Sequence, residues 1–442
     1  MKRLIEKKLT NWRLVKPRKP LILRGARQVG KTFTLKEFGK REFRNCHYLN
    51  FEENTRLANI FAVDLNPKRI LNELRFLLNR DIDVRSDLLI FDEIQQCGCA
   101  LTSLKYFCEE LPELAICAAG SLLGVILSNE SFPVGKVTFY DLYPMNYHEF
   151  LLGIGERELA NLLATHNISS PFPIAAHERF WDLWKHYLVV GGLPAVVMAY
   201  AKHHANLFQA IVSVRKLQSD LINAYSADIA KHSGKTNALH VDRVWRNVPQ
   251  QLARTIDDSA PKYRFKDVLP GIRGYERLSG PINWLIGARL IIKTAIVETA
   301  SLPLSAYASE NNFKLYFFDV AMLSAISNLP AQAIFDYNFG SYKGYIAENF
   351  IAQEMLVNEC LELYCWKGRT SEIEFLYSNE NELIPIEVKS GKVTNSKSLK
   401  VFIEKYHAKS AYVFSGRNSE KQNDRINIPL YAAGEFFRRL GE

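Results

Sequence analysis

A multidomain α/β protein is the fold class that the sequence predicts, and three observations carry the prediction. Short apolar runs that read as buried strands recur at residues 20–24, 88–91, 114–119, 313–319, 371–377 and 383–389. Apolar residues at helical spacing lie between and around them, at 104–111, 204–230, 241–252, 275–290 and 344–356. The chain has 442 residues, 48% of them hydrophobic, enough to fill two to four separate cores.

Composition removes several classes. Aromatic residues make up 12% and charged residues 23%, which fits neither a disordered chain nor a coiled coil. The opening MKRLIEKKLT mixes charge with apolar residues and never reaches the unbroken apolar core of a signal peptide. No later run is long enough to span a bilayer, so a cytoplasmic protein without a membrane partner is expected. Seven cysteines (Cys46, Cys97, Cys99, Cys108, Cys117, Cys360 and Cys365) are scattered rather than dense, the pattern of reduced thiols. Cys97, Cys99 and Cys108 lack a paired CxxC or a histidine at zinc-finger spacing. The formal net charge of +9 favours a polyanionic partner without identifying one.

The first element with chemistry begins at Pro20. The apolar run to Arg24 feeds into GARQVGKT, Gly25 through Thr32, and Phe33 to Phe38 continues as a helix. Strand, glycine-rich loop and helix in that order form a Walker A motif. The backbone N–H groups of Gly25, Ala26, Arg27, Gln28, Val29, Gly30, Lys31 and Thr32 are expected to curl around phosphate oxygens at the positive helix end. Lys31 is expected to reach the β and γ phosphates, and Thr32 to offer its hydroxyl to Mg²⁺, a cation that prefers oxygen ligands. A second buried-strand pattern, Leu88 to Phe91, ends in Asp92 and Glu93, a Walker B motif. Asp92 is expected to hold Mg²⁺ and Glu93 to orient or deprotonate the hydrolytic water. A further small strand, 114–119, ends at Gly120 and Ser121. Ser121 reads either as a catalytic sensor of the γ-phosphate or as a turn residue. The absence of an Asn/Thr-Lys-x-Asp segment favours ATP over GTP. Gly234-Lys235-Thr236 also spells GKT, but Ile229 stands where the first glycine belongs.

On these residues the first 150 positions resemble the AAA-type branch of P-loop ATPases. More narrowly, RGARQVGKT, FDEIQ, GSLLG and FPVGKVTFYDLYPMNYHEFL resemble a prokaryotic family of AAA ATPases joined to a C-terminal domain of unknown function. The resemblance implies ATP and Mg²⁺ as cofactors, a sensor strand between the two motif strands, a homo-oligomer, and a phosphate contact from Lys136. The family usually has arginine there, whereas lysine offers a point charge without the bidentate fork.

In the middle of the chain Trp181 to Tyr200 is strongly apolar and broken by Gly191-Gly192-Leu193-Pro194, which reads as a buried helix ending at a glycine turn. The helical patterns at 241–252 and 275–290, followed by the β-branched run 291–298, resemble a winged helix-turn-helix. Arg254, Lys262, Arg264, Lys266, Arg273, Arg277 and Arg289 would give it a positive face. That face suits either DNA or protein docking.

In the last third, Glu348 lies on the helical pattern 344–356, Glu374 on the strand 371–377, and Glu387 and Lys389 on the strand 383–389. Alternation places Glu387 and Lys389 on one face of their strand. The order resembles the PD-(D/E)xK restriction-endonuclease-like fold, with Glu374 where aspartate is usual. It implies carboxylates that hold divalent metal and a lysine that activates water. A surface strand with an ion pair is the plainer alternative for Glu387 and Lys389. Lys392, Lys397 and Lys400 follow.

The expected organisation is an AAA-type P-loop domain over 1–150, a helical lid-like segment over 151–235, a winged-helix-like domain over 236–310 and a nuclease-like α/β domain over 311–442. The expected function is ATP hydrolysis coupled to DNA binding or processing. The alternative is a nucleotide-controlled protein-interaction switch with an inactive nuclease-like domain.

Overall fold

The computed structural model describes residues 2–121, 134–203, 205–252, 261–379, 382–392, 396–422 and 425–441. The chain forms two compact units, Met1–Tyr143 and Pro144–Glu442. The candidate Arg254 lies outside the described residues.

The first unit is built on a five-stranded, wholly parallel sheet: β1 (Leu21–Arg24), β2 (Cys46–Asn50), β3 (Leu88–Asp92), β4 (Ala115–Gly120) and β5 (Thr138–Asp141), in the order β2-β3-β4-β1-β5. Every residue of β3 and β4 is buried, as expected of central parallel strands covered by helices on both faces. This is why they read as continuous apolar runs. The strand β4, which Ser121 follows, lies between the strands carrying the two phosphate-site motifs, as the resemblance implied. A helix over Ile5–Leu14 buries Ile5, Leu9 and Trp12, a spacing that keeps one face against the core.

The second unit carries an eight-stranded mixed sheet. Its strands are β6 (Ile291–Val297), β7 (Ala308–Phe317), β8 (Leu363–Lys367), β9 (Glu372–Ser378), β10 (Leu383–Val388), β11 (Ala411–Ser415), β12 (Glu420–Gln422) and β13 (Arg425–Pro429). They are arranged β12-β13-β11-β10-β9-β8-β6-β7. β6, the strand read as part of a winged helix, pairs with β7 and β8, so hydrogen bonding is continuous across residues 310 and 311. The helical patterns of the middle and last thirds become Ile174–Val190, Pro194–Lys202, Leu207–His232, Lys235–Leu252, Glu276–Gly287 and Tyr342–Val357.

The glycine turn between the helices Ile174–Val190 and Pro194–Lys202 has a steric cause. A Cβ on Gly192 would lie 2.0 Å from the Met145 carbonyl oxygen, and one on Gly191 (φ 76°) 2.4 Å from Asp319 Oδ1. The missing side chains let the Gly192 N–H donate to Asp319 Oδ2 (2.7 Å) and the Met145 N–H to the Gly192 carbonyl (2.7 Å). Tyr187 then donates to the Met145 carbonyl (2.6 Å), and Gln353 to the Tyr187 hydroxyl (2.6 Å). Burial raises the Asp319 carboxyl to about 6, although three backbone N–H groups oppose the rise. All seven cysteines are free. Among the described residues no helix is long and apolar enough to cross a membrane.

Candidate functional sites

The loop from Gly25 to Gly30 needs its glycines for definite reasons. A Cβ on Gly25 would lie 2.2 Å from the Leu142 carbonyl oxygen, and Gly30 has φ 93° where the helix Lys31–Glu42 begins. Gln28 also takes a left-handed φ of 65°. The first N–H groups of that helix have no intrahelical acceptor and meet the loop at the positive end of the dipole. Lys31 is buried at 7% exposure and folds back over the loop, its Nζ donating to the carbonyls of Gly25 (2.9 Å) and Ala26 (2.8 Å).

Thr32 Oγ1 donates to Asp92 Oδ2 at 2.8 Å, joining the helix after β1 to the end of β3. Tyr48 donates to the same oxygen at 2.8 Å, and the Glu93 N–H donates to Asp92 Oδ1 at 3.1 Å. Asn50 supports the tyrosine (3.2 Å), and Lys36 Nζ stands 3.3 Å above its ring. Burial, followed by the bond to Asp92, pushes the Tyr48 hydroxyl pKa far up, so it stays a donor. Glu93 has a left-handed φ of 49° and receives a bond from Gln95. Two oxygen donors of the right type, Thr32 Oγ1 and Asp92 Oδ2, thus stand side by side, which fits Mg²⁺. Ser121 is 5% exposed, and its Oγ has no hydrogen-bond partner among the described residues. Lys136 forms an ion pair with Glu109 (3.0 Å) at the end of the helix Gly98–Glu110, not with a residue of the loop.

Tyr48 is a site residue that sequence reading missed. Alternating burial along β2 is the signal that could have found it: His47 and Leu49 point inward on one face, and Tyr48 and Asn50 face the other.

The second unit brings Glu374, Glu387 and Lys389 to one cavity of about 800 Å³. Lys389 Nζ pairs with Glu387 Oε1 at 2.6 Å, so both point to one face of their strand. Glu387 Oε2 is buried with no hydrogen-bond partner among the described residues, and Glu374 Oε2 accepts from the Val388 N–H at 3.1 Å. Burial, then the charges of Glu387 and Glu348, hold the Glu374 carboxyl well above the usual carboxylate range. Glu348 sits beneath, accepting from Tyr316 (2.7 Å) and 3.5 Å from Lys314, a lysine only 1% exposed. Lys314 also pairs with Glu372. Among the described residues no group of three or more His, Cys, Asp or Glu side chains is arranged to hold a metal ion.

A parallel sheet, a glycine-rich phosphate loop after β1 and an acidic pair at the end of β3, the next strand but one, define the first unit as a P-loop ATPase-like α/β domain. Residues 17–151 match the family described as AAA domain. Residues 182–333 and 343–432 match two families described as domains of unknown function, DUF8612 and DUF4143. Among curated proteins none matches the chain. Solved structures with a similar chain path include the Walker-type ATPase PABY2304 of Pyrococcus abyssi, at 16% identity over 73% of this chain and 94% of that one, with TM-score 0.45. The Aeropyrum pernix Orc1 protein in complex with DNA is 13% identical over 75% and 94%, with TM-score 0.33. The Thermotoga maritima RuvB Holliday junction branch migration motor is 14% identical over 66% and 88%, with TM-score 0.30. At these scores the likenesses carry no functional weight.

Proposed function

We propose that the first unit binds ATP and hydrolyses it with Mg²⁺. The observation that carries this reading is the 2.8 Å contact of Thr32 Oγ1 with Asp92 Oδ2, beside a glycine-rich loop at a helix N-terminus, where main-chain N–H groups can meet an anion. Lys31 exchanges its two loop carbonyls for the β and γ phosphates. Glu93 takes a proton from water as the water oxygen bonds to the γ phosphorus, the β–γ bridging bond breaks, and ADP leaves with the bridging oxygen. Ser121, a buried hydroxyl at the end of the intervening strand, contacts the γ-phosphate. Mg²⁺, when bound, neutralises charge on the phosphate oxygens. Phosphate release by the purified protein tests the reading. Turnover in the parent and none in Lys31→Ala is expected, whereas equal turnover in Glu93→Gln would remove Glu93 as the base.

A second reading, that the nucleotide state is coupled to nucleic-acid binding or processing, is supported by the cavity of the second unit. Lys262 and Arg264 line the same cavity as Glu374, Glu387 and Lys389, and Lys367 and Arg369 line it too. Cations around the cavity suit a phosphodiester backbone. Tyr263 between the two cations is buried, and its N–H donates to the Phe313 carbonyl at 2.8 Å. Gln251 brackets the Arg264 backbone, giving to its carbonyl (2.6 Å) and accepting from its N–H (2.7 Å). The segment is therefore held by its main chain while the Lys262 and Arg264 side chains stay exposed. Oligonucleotide binding that weakens steeply with salt and is lost in Lys262→Glu with Arg264→Glu is expected. Divalent-dependent plasmid cleavage lost in Lys389→Ala would establish a nuclease, and binding unaffected by the charge reversals would sink the reading.

A further inference from the structure

Arg3 is 6% exposed, and its guanidinium is spent on two main-chain carbonyls: Nη1 donates to Val29 (2.8 Å) and Nη2 to Tyr143 (2.7 Å). Both lie far from it in sequence, and Val29 belongs to the phosphate loop. A buried guanidinium is costly unless its donors are matched, so this one is held in a single geometry rather than sampling several. Its backbone is anchored as well. The Arg3 N–H donates to Glu6 Oε1 (3.0 Å), and the helix that follows buries Ile5, Leu9 and Trp12.

The bond to Val29 has a consequence one atom further on. A trans peptide is planar, and its C=O and N–H point in opposite directions. Holding the Val29 carbonyl toward Arg3 therefore turns the Gly30 N–H the other way. Gly30 stands at φ 93°, a region open to glycine, so its own conformation does not resist rotation of that peptide. The Gly30 N–H donates to no acceptor among the described residues, while its carbonyl already receives Thr34 (2.9 Å). An N–H without an acceptor, next to the start of a helix, is a donor for an anion.

We infer that Arg3 is a positioning residue for the nucleotide site, fixing the Val29–Gly30 peptide with its N–H directed at a phosphate oxygen. Arginine suits the task because its planar fork reaches two carbonyls at once, whereas an ammonium would leave one of them. The inference rests on the ATP reading of residues 25–32.

Arg18 provides a structural control in the same unit. It is also 6% exposed and also donates to two carbonyls, those of Arg13 (2.7 Å) and Glu113 (2.7 Å), neither in the loop. The test measures the Kd of the full chain for a fluorescent ATP analogue with Mg²⁺, together with KM and kcat for ATP. The parent, Arg3→Ala, Arg3→Lys and Arg18→Ala are compared, with the melting temperature of each taken without nucleotide. Loss of one charge-assisted donor is expected to raise Kd and KM about ten- to hundredfold in Arg3→Ala while kcat changes little. Arg3→Lys, which keeps one bond, should fall between, and it carries the comparison if Arg3→Ala does not fold. Arg18→Ala should lower the melting temperature but leave Kd within about twofold of the parent. A Kd unchanged in both Arg3 variants, or raised as much in Arg18→Ala, would overturn the inference while leaving the ATP reading intact. A parent protein that binds no nucleotide would overturn both.

Discussion

Thr32 and Asp92 meet at 2.8 Å although they belong to different strand–helix connections of the sheet, and both hydroxyls that reach Asp92, from Thr32 and Tyr48, converge on its Oδ2. The acid at the end of β3 is therefore oriented before any cation arrives. The consequence for variants is a division of labour. Asp92→Ala should retain weak nucleotide binding and lose its dependence on Mg²⁺. Glu93→Gln should bind ATP as tightly as the parent while turnover falls about 10²–10⁴-fold, the range for loss of a positioned general base. Equilibrium binding and phosphate release measured on the same preparations separate the two effects.

Tyr48→Phe removes one of the two hydroxyls from Asp92 Oδ2 and leaves Thr32 and the Glu93 N–H in place. A hydrogen bond to a charged carboxylate is worth about 1.5–3 kcal/mol, so the Mg²⁺ concentration for half-maximal turnover should rise about ten- to hundredfold. A Mg²⁺ titration of the steady-state rate gives the answer, and an unchanged midpoint would remove Tyr48 from the site.

Stability of the second unit should depend on pH in a direction its buried acids set. Burial raises Asp319 from 3.8 to about 6 and Glu354 from 4.5 to about 8, the latter against the Tyr147 N–H and with help from Glu149 and Glu435. The folded state keeps protons that the unfolded chain releases, so these groups make stability fall as pH rises from about 4 to about 8, with no further change above. Glu354→Gln, which preserves an acceptor for the Tyr147 N–H, should be more stable than the parent at pH 9 by on the order of a few kcal/mol and little different at pH 5. Urea denaturation at the two pH values measures the difference.

Gly192→Ala should be severe. The new methyl would meet the Met145 carbonyl oxygen at 2.0 Å and its nitrogen at 2.6 Å, both main-chain atoms that cannot turn aside. A loss of about 3 kcal/mol or more is expected. Gly155 has φ +90° but nothing within 4 Å of its would-be Cβ, so Gly155→Ala should cost only the backbone strain, roughly 1–2 kcal/mol. Thermal melts of the two variants separate collision from strain.

By itself the sequence determined the phosphate loop, the acidic pair after β3, and the strands that carry Glu374, Glu387 and Lys389. Each depends on residues a few positions apart, where strand and helix periodicity dictate which way a side chain points. Lys389 pairs with Glu387 because it follows β10 directly and residues two apart in extended chain share a face. The strand assignment of 291–298 was equally local, but its partners were not: sheet pairing joined it to β7 and β8. Only the tertiary structure decided that Tyr48 supports Asp92, that Arg3 holds Val29, that Lys136 pairs with Glu109, and that Lys262 and Arg264 line the cavity of Glu374 and Glu387. These are contacts between distant segments, set by the order in which strands assemble and by the main-chain bonds that hold a loop against them. Local propensity carries no information about either, because a buried carbonyl or carboxylate takes its donor from whichever segment packs beside it.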